Sequence, residues 1–524
     1  MSIETAIENA QQRVANAYTA VENMGGTLPV TQNLTNLPTA IESIPAGLGI
    51  PREVSSQGVY QMPAENFTFS LPSEATSLGL SALSYSFTNC QTLTSVDFSS
   101  ITSINRDNAL YFTFDNCQYL TTVDMSSLEV IGSIGSTAVA SFAFQGCVRL
   151  TSIDLTSLGT VSGEHAVQFM FDGCTSLTNL DLSALTTVNG REALKCLCRN
   201  CTSLVSVDLS ALETATGEGV LNSAFSGCTN LTTIDLGSLE EAATSKNSMY
   251  QSFYNCSSLT SVDLSSLTEI NGPTAMEYAF QGCTSLSSMN FLSLSSISGL
   301  SAMQGAFQGC TSLSSIYLGS AATISDNSCM KSIFEGCTSL TSVSSGVSTI
   351  SGESTFESAF KNCTSLEELY FPLLESITGK NTMRYAFSGC TSLTTIEFPS
   401  LTQIGANSSS VDEAHFREAF SGCTSLTTIA FPELEAIYCT GTEGTFKFNE
   451  SIQKVYLPKL KTITYGTGAS SSDMLGCQGI FLNCTSLTEI HFSAENQASI
   501  EASPGYPILW GRLGEATVYF DSTP

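Results

Sequence analysis

Across 524 residues the chain carries a formal net charge of −29 with only 12% charged residues. That balance argues against nucleic acid or an anionic membrane surface as partner, and it leaves a surface covered mainly by Ser, Thr, Asn and Gly. No run of about 18 apolar residues occurs, so no membrane insertion through a spanning helix is expected.

The first predicted element is a helix over residues 1–26. Ile3, Ile7, Ala10, Val14, Ala17, Val21 and Met24 alternate in steps of four and three, which is a heptad seam, and Gly25-Gly26 stops it. An isolated helix with alanine in its seam is marginal in water. It is therefore expected to serve oligomerisation, as a small parallel coiled coil in a homo-oligomer, or attachment as a docking helix; folding back on the following residues is the alternative. The opening MSIETAIENAQQRV has no basic n-region and no apolar h-region, so neither a secretory signal nor a C-terminal anchor is expected. Residues 27–62, rich in Pro, Gly, Thr and Asn, read as an extended linker.

From 63 to 492 one unit recurs. Phe-x-(Gly/Asn)-Cys-(Thr/Ser)-Ser-Leu returns at steps of mostly 27 residues between Cys90 and Cys484, and a degenerate copy with Asn449 in the cysteine's place brings the total to fifteen. A fixed period of this size means stacked coils. Residues 63–86 are expected to cap the first coil and 493–524 the last. Within the copy 256–282, Leu259, Val262 and Leu264 give the inward side of a short strand. Leu267 and Ile270 give a second inward pair, and 275–280 reads as a short helix or 3₁₀ turn that drops Phe280 into the core. The longest loops fall at 405–415 and 465–479.

Fourteen of the nineteen cysteines occupy one repeat position behind a Phe and before a Leu. That makes them packing residues, expected as free thiols rather than disulfides. The glycosylation patterns at Asn200, Asn255, Asn362 and Asn483 lie on the same buried position and read as accidental. His165, His415 and His491 sit in separate coils. The cluster CLCRNC (196–201) places two of its cysteines at the ladder Phe and ladder Cys positions. No catalytic, cofactor-binding or metal motif is indicated, and no enzyme is expected; a depolymerase would need an acidic pair in a cleft.

The outward residue between the last two apolar strand positions is the informative column. It is Asp97, Asp124, Asp154, Asp181, Asp208, Asp235 and Asp263 in successive coils. Carboxylates about 4.8 Å apart repel by roughly 1 kcal/mol in water. Either the stripe binds a cation or amine, with Ca²⁺ shared between rungs, or each Asp accepts hydrogen bonds from the adjoining turn. The column then becomes Asn290, Tyr317, Ser344, Tyr370, Glu397, Ala430, Tyr456 and His491. Tyr317, Tyr370 and Tyr456 are candidates for an aromatic receptor-binding strip. Lys447, Lys454, Lys459 and Lys461 form a local basic cluster.

AFQGCTSLSSMNF (279–291) and AFSGCTSLTTIEFPSLTQIG (386–405) resemble the BspA-like leucine-rich repeat, over roughly residues 84–492. The copies here carry about four extra residues before the AF segment. The resemblance implies an α/β solenoid of about fifteen coils with short parallel strands and short helical turns, and a host-surface binding or adhesion role. IENAQQRVANAYTAVENMGGTLPVTQNLTNLPTAIESIP (7–45) and HFSAENQASIEASPGY with its continuation to 524 look like segments of leucine-rich-repeat tail proteins from phages of Gram-positive gut bacteria. That second resemblance implies a virion location in the phage tail and attachment to other tail proteins through the N-terminal helix. It also implies a bacterial surface glycan or protein receptor as partner. A bacterial cell-surface or secreted extracellular adhesin is the alternative.

Overall fold

The structure is a computed structural model. It describes residues 66–71, 73, 75–320, 323–344, 346–405, 416, 418–439, 450–465, 484–503 and 516–521. The heptad seam from Ile3 to Met24, the linker 27–62 and most of both long loops lie outside the described residues. The chain divides into two compact units, Met1–Leu236 and Gly237–Pro524, each a stack of coils.

Each coil carries up to two very short strands, and like strands of neighbouring coils pair in parallel. In the first unit Leu93–Asp97, Thr122–Asp124 and Ser152–Asp154 run side by side, as do Asn179–Asp181, Ser206–Asp208 and Thr233–Asp235. The second strands, from Ser103–Ile104 to Thr214–Thr216, form one five-stranded sheet. In the second unit a six-stranded parallel sheet runs from Glu368–Tyr370 to Thr517–Asp521. Equivalent residues face each other in register, so any property repeated along the sequence becomes a column on the surface.

The core is the inward set expected from the repeat. Leu259, Leu264, Leu267, Ile270, Phe280 and Cys283 are each 0% exposed, and Val262 is 6% exposed. Ala275, Met276 and Ala279 join them. The ladder phenylalanines stack face to face across coils, at 5.3 Å for Phe87 and Phe114 and 5.1 Å for Phe253 and Phe280. Such pairs add about 0.5–1.5 kcal/mol beyond their burial.

The segment preceding the cysteine is not the helical turn that the sequence predicts. Among the described residues, helix is confined to Ala494–Asn496 and Gln497–Glu501. In the copy at 275–283, alternate N–H groups reach out of the coil: Met276, Tyr278, Phe280 and Gly282 donate to Ala302, Ala306 and their neighbours in the next coil at 2.7–2.9 Å. The intervening amides close tight turns on their own chain, Ala279 to Met276 at 3.1 Å and Cys283 to Phe280 at 3.1 Å. A helix would use all these amides internally; stacking claims half of them and leaves a ribbon of turns.

The ribbon places one residue in four in the left-handed region, as at Thr274 (φ 55°), Tyr278 (φ 56°) and Gly282 (φ 77°). The position just before the ladder cysteine is Gly or Asn in every described coil, because these residues adopt that conformation at least cost. Where Asn precedes Gly in successive coils the pair fits closely. A Cβ on Gly282 would lie 2.3 Å from Asn255 Oδ1, and one on Gly389 2.4 Å from Asn362 Oδ1.

Candidate binding surface

The carboxylate column is built by strand register. Asp97 faces Asp124, Asp124 faces Asp154, and Asp208 lies between Asp181 and Asp235. In the second unit Asp263 ends the equivalent strand, Ser261–Asp263. Each Asp ends its strand, and the chain then turns. Oδ1 of Asp97, Asp124, Asp154, Asp181, Asp208 and Asp263 accepts the backbone N–H two residues on, at 2.9–3.1 Å. The following hydroxyl also donates to Asp97, Asp154 and Asp208 at 2.7–2.8 Å. Bonds from the Ser183 side chain and then its backbone hold the Asp181 carboxyl below its ordinary pKa.

At four of the positions where Asp is exchanged for another residue the sequence shows a local cause. Two residues beyond Tyr370, Glu397, Ala430 and Tyr456 stand Pro372, Pro399, Pro432 and Pro458, which have no N–H to offer. At these four positions proline removes the donor that an Asp would cap; Asn290, Tyr317 and Ser344 are followed two residues on by Leu292, Gly319 and Gly346, which keep theirs.

The three tyrosines of the column are not brought together. Tyr317 pairs with Asn290 and Ser344. Glu397 and Ala430 stand between Tyr370 and Tyr456. Among the described residues of the column, rings stack in series at its end, where the His491 ring lies between Tyr456 at 4.5 Å and Tyr519 at 4.7 Å. The His491 nitrogens meet Asp521 at 2.6 Å and Glu489 at 3.1 Å. Tyr519 belongs to Thr517–Asp521, a further parallel rung within the segment expected to be a cap. The basic cluster is matched by carboxylates: Lys454 pairs with Glu489, Lys459 with Glu433 and Lys461 with Glu435, at 2.6–2.9 Å; Lys447 is outside the described residues.

The cysteine side chains that the structure describes are buried and carry thiols rather than disulfides. Each ladder thiol from Cys117 onward that has a described partner donates to a carbonyl in the preceding coil, as Cys310 Sγ does to Phe280 O at 3.1 Å. Burial pushes the thiols of Cys117, Cys283, Cys337 and Cys423 up to about 12. Cys198 takes the ladder Phe position, and its carbonyl receives Cys228 Sγ at 3.0 Å. Among the described residues no three His, Cys, Asp or Glu side chains converge to hold a metal ion, along the Asp column or elsewhere, and no helix is long and apolar enough to cross a membrane.

A second aromatic column escapes the sequence analysis. On the turn ribbon of the first unit, Tyr85, Phe112, Phe142 and Phe169 stack in series at 5.4, 4.3 and 4.8 Å, with planes within 7° of parallel. Tyr85 is 57% exposed and the three phenylalanines are half-buried. Arg199 closes the stack, its guanidinium 4.9 Å from the Phe169 ring and bound at both ends to Asp172 at 2.9 and 3.0 Å. The sequence signal is a second aromatic two residues before the ladder Phe, repeated in four successive coils (YSF, FTF, FAF, FMF).

A family model described as BspA type leucine-rich repeat region matches six overlapping stretches, 83–220, 195–332, 249–380, 277–412, 354–467 and 416–503. No curated protein matches the chain. Among solved structures, the chain is similar to a leucine-rich repeat protein of Eubacterium ventriosum, at 17% identity and TM-score 0.32 over 70% of this chain and 87% of that one. It is also similar to an internalin of Listeria monocytogenes, at 15% identity and TM-score 0.22 over 76% and 88%. The pneumococcal vaccine antigen PcpA matches at 16% identity and TM-score 0.24 over 88% and 92%.

Proposed function

The chain belongs to the BspA-type leucine-rich repeat family, and from that premise we propose that it is a non-enzymatic host-surface binding protein, a phage tail fibre or tail-tip component. Members of this family are generally binding scaffolds rather than enzymes. The observation that carries the proposal is the register: buried Leu, Ile, Phe and Cys ladders stack the coils, and outward residues that the sequence repeats line up as surface columns. Rigid columns of this kind suit recognition of an extended or repetitive surface.

The phage assignment is supported by the resemblance of 7–45 and 491–524 to phage tail segments. Buried thiols rather than disulfides along the described ladder suit a chain that folds in a reducing compartment. In this proposal the receptor is a bacterial surface glycan or protein, and the N-terminal helix joins the chain to its own copies and to other tail proteins. The family also favours a bacterial surface adhesin as a second assignment. Labelled full-length protein should bind saturably to some strains in a panel of Gram-positive gut bacteria. Gold-labelled antibody against it should decorate phage tails in lysates. Label on producing-cell envelopes would replace the phage assignment with the adhesin, and absence of binding to every strain would remove the host-surface role.

A further inference from the structure

We propose that the aromatic rib of the first unit is a binding site for a neutral, linear oligosaccharide, with the Tyr111 ring as its platform. The inference rests on the host-surface binding proposed above and names the chemistry of the ligand.

The geometry of Tyr111 carries it. Both faces of Phe112 are covered, by Tyr85 on one side and Phe142 on the other. The Tyr111 ring stands perpendicular to all three, at 88–89°, with centroids 4.7 Å from Phe112, 5.5 Å from Tyr85 and 6.0 Å from Phe142. A perpendicular ring this close to a closed stack lies flat across the stack's edges. One face of Tyr111 therefore takes the edges of three rings, and its other face is turned away from them. A flat aromatic face held from behind is what the C–H side of a sugar ring stacks on.

The backbone of the ribbon bears on the same column. Tyr85, Phe112, Phe142 and Phe169 all have φ between 52° and 59°, a region that bulky side chains rarely occupy and that strained functional positions do. The same column holds Ser223, Ser332 and Ser358 in other coils, with φ of 54–58°. The fold therefore accepts serine there; Tyr278 and Tyr385 hold the position singly in the second unit, whereas Tyr85, Phe112, Phe142 and Phe169 hold it in four successive coils and stack.

The surroundings select the ligand. The rib is one side chain wide, and the amides of Gln145 and Gln168, next in sequence to Phe144 and Phe169, donate to Asp172 and Glu192. A stable protein interface needs about 800 Å² per partner around a broad apolar centre. The neighbouring cation, Arg199, is matched by Asp172, and the chain carries −29, so a polyanion is disfavoured.

The test uses the full chain and two variants, Tyr111→Gln, which removes the platform, and Phe112→Ser with Phe142→Ser, which removes its support. Glutamine already stands at the Tyr111 position in other coils, as Gln168 and Gln304. Calorimetric titration with cellohexaose, chitohexaose, maltohexaose and polygalacturonate is run beside binding to intact cells. The expected result is saturable binding of a neutral hexasaccharide, weakened at least about tenfold in both variants, with cell binding falling in parallel, the Tyr111→Gln melt unchanged and the double variant still melting cooperatively at a lower temperature. No neutral hexasaccharide bound, or both variants binding like the parent, overturns the inference. Preference for polygalacturonate, or loss of cell binding on protease treatment of the cells, overturns it as well. Cell binding that persists in the variants leaves the host-surface role standing without this site; cell binding absent from the parent chain removes that role.

Discussion

Asp208 shows what a single residue contributes to a coil. Its carboxylate receives the Ser210 amide at 3.0 Å and the Ser210 hydroxyl at 2.7 Å, so it caps a turn as an N-cap residue caps a helix. Removing such a cap costs about 0.5–2 kcal/mol. Asp208→Ala should lower the denaturant midpoint accordingly. Tyr370→Ala, at the same column position but followed by Pro372, should leave the midpoint nearly unchanged, since tyrosine caps nothing there. Equal losses in the two variants would show that capping does not set the column's composition. Asparagine at 208 should retain most of the parent midpoint, because its carbonyl oxygen accepts the same two bonds without the charge.

At the scale of the element, the thiol ladder gives a pH dependence with a defined sign. Burial raises Cys117, Cys283, Cys337 and Cys423 to about 12, whereas an unfolded thiol ionises near 8.5. The folded state thus holds the proton more tightly than the unfolded one. The stabilisation is complete below the unfolded value and is lost as pH rises through the folded value. Each such thiol removes about 1.4 kcal/mol of stability per pH unit across that window, and several in one unit add. Denaturation under reducing conditions should show a nearly constant midpoint from pH 7 to 8 and a steep fall between pH 9 and 12; a flat profile through pH 11 would mean the thiols ionise without unfolding. The ladder was legible in the sequence because cysteine, phenylalanine and the apolar strand positions keep one period, and period is what fixes inward and outward faces. The turn ribbon was not. Its residues carry the spacing of a short helix, and only the amides claimed by the neighbouring coil decide against one. Tyr111 was illegible for a related reason: its importance lies in three rings from other coils or positions that sequence order does not show to be stacked.

For the whole molecule, the seam Ile3, Ile7, Ala10, Val14, Ala17, Val21 and Met24 sets the assembly that the attachment proposal requires. A heptad seam with alanine at two positions is too weak to hold a lone helix but packs closely against copies of itself. Light scattering on the full chain should therefore give two or three times the 55.4 kDa of one copy. Val14→Asp places a carboxylate in the middle of the seam, where burial among like charges from the other copies is costly. That variant should return to the mass of one copy and lose the helical far-ultraviolet signal of residues 1–26, while the thermal melt of the coils stays that of the parent. Multivalent binding follows the same assembly: linked copies bind a repetitive surface more tightly than one copy does, so Val14→Asp should also weaken binding to cells while binding of a free hexasaccharide is retained. A parent chain with the mass of one copy removes the stem, and a docking helix or a free adhesin then accounts better for residues 1–26. A variant that remains oligomeric shifts the contact from the seam to the coils themselves.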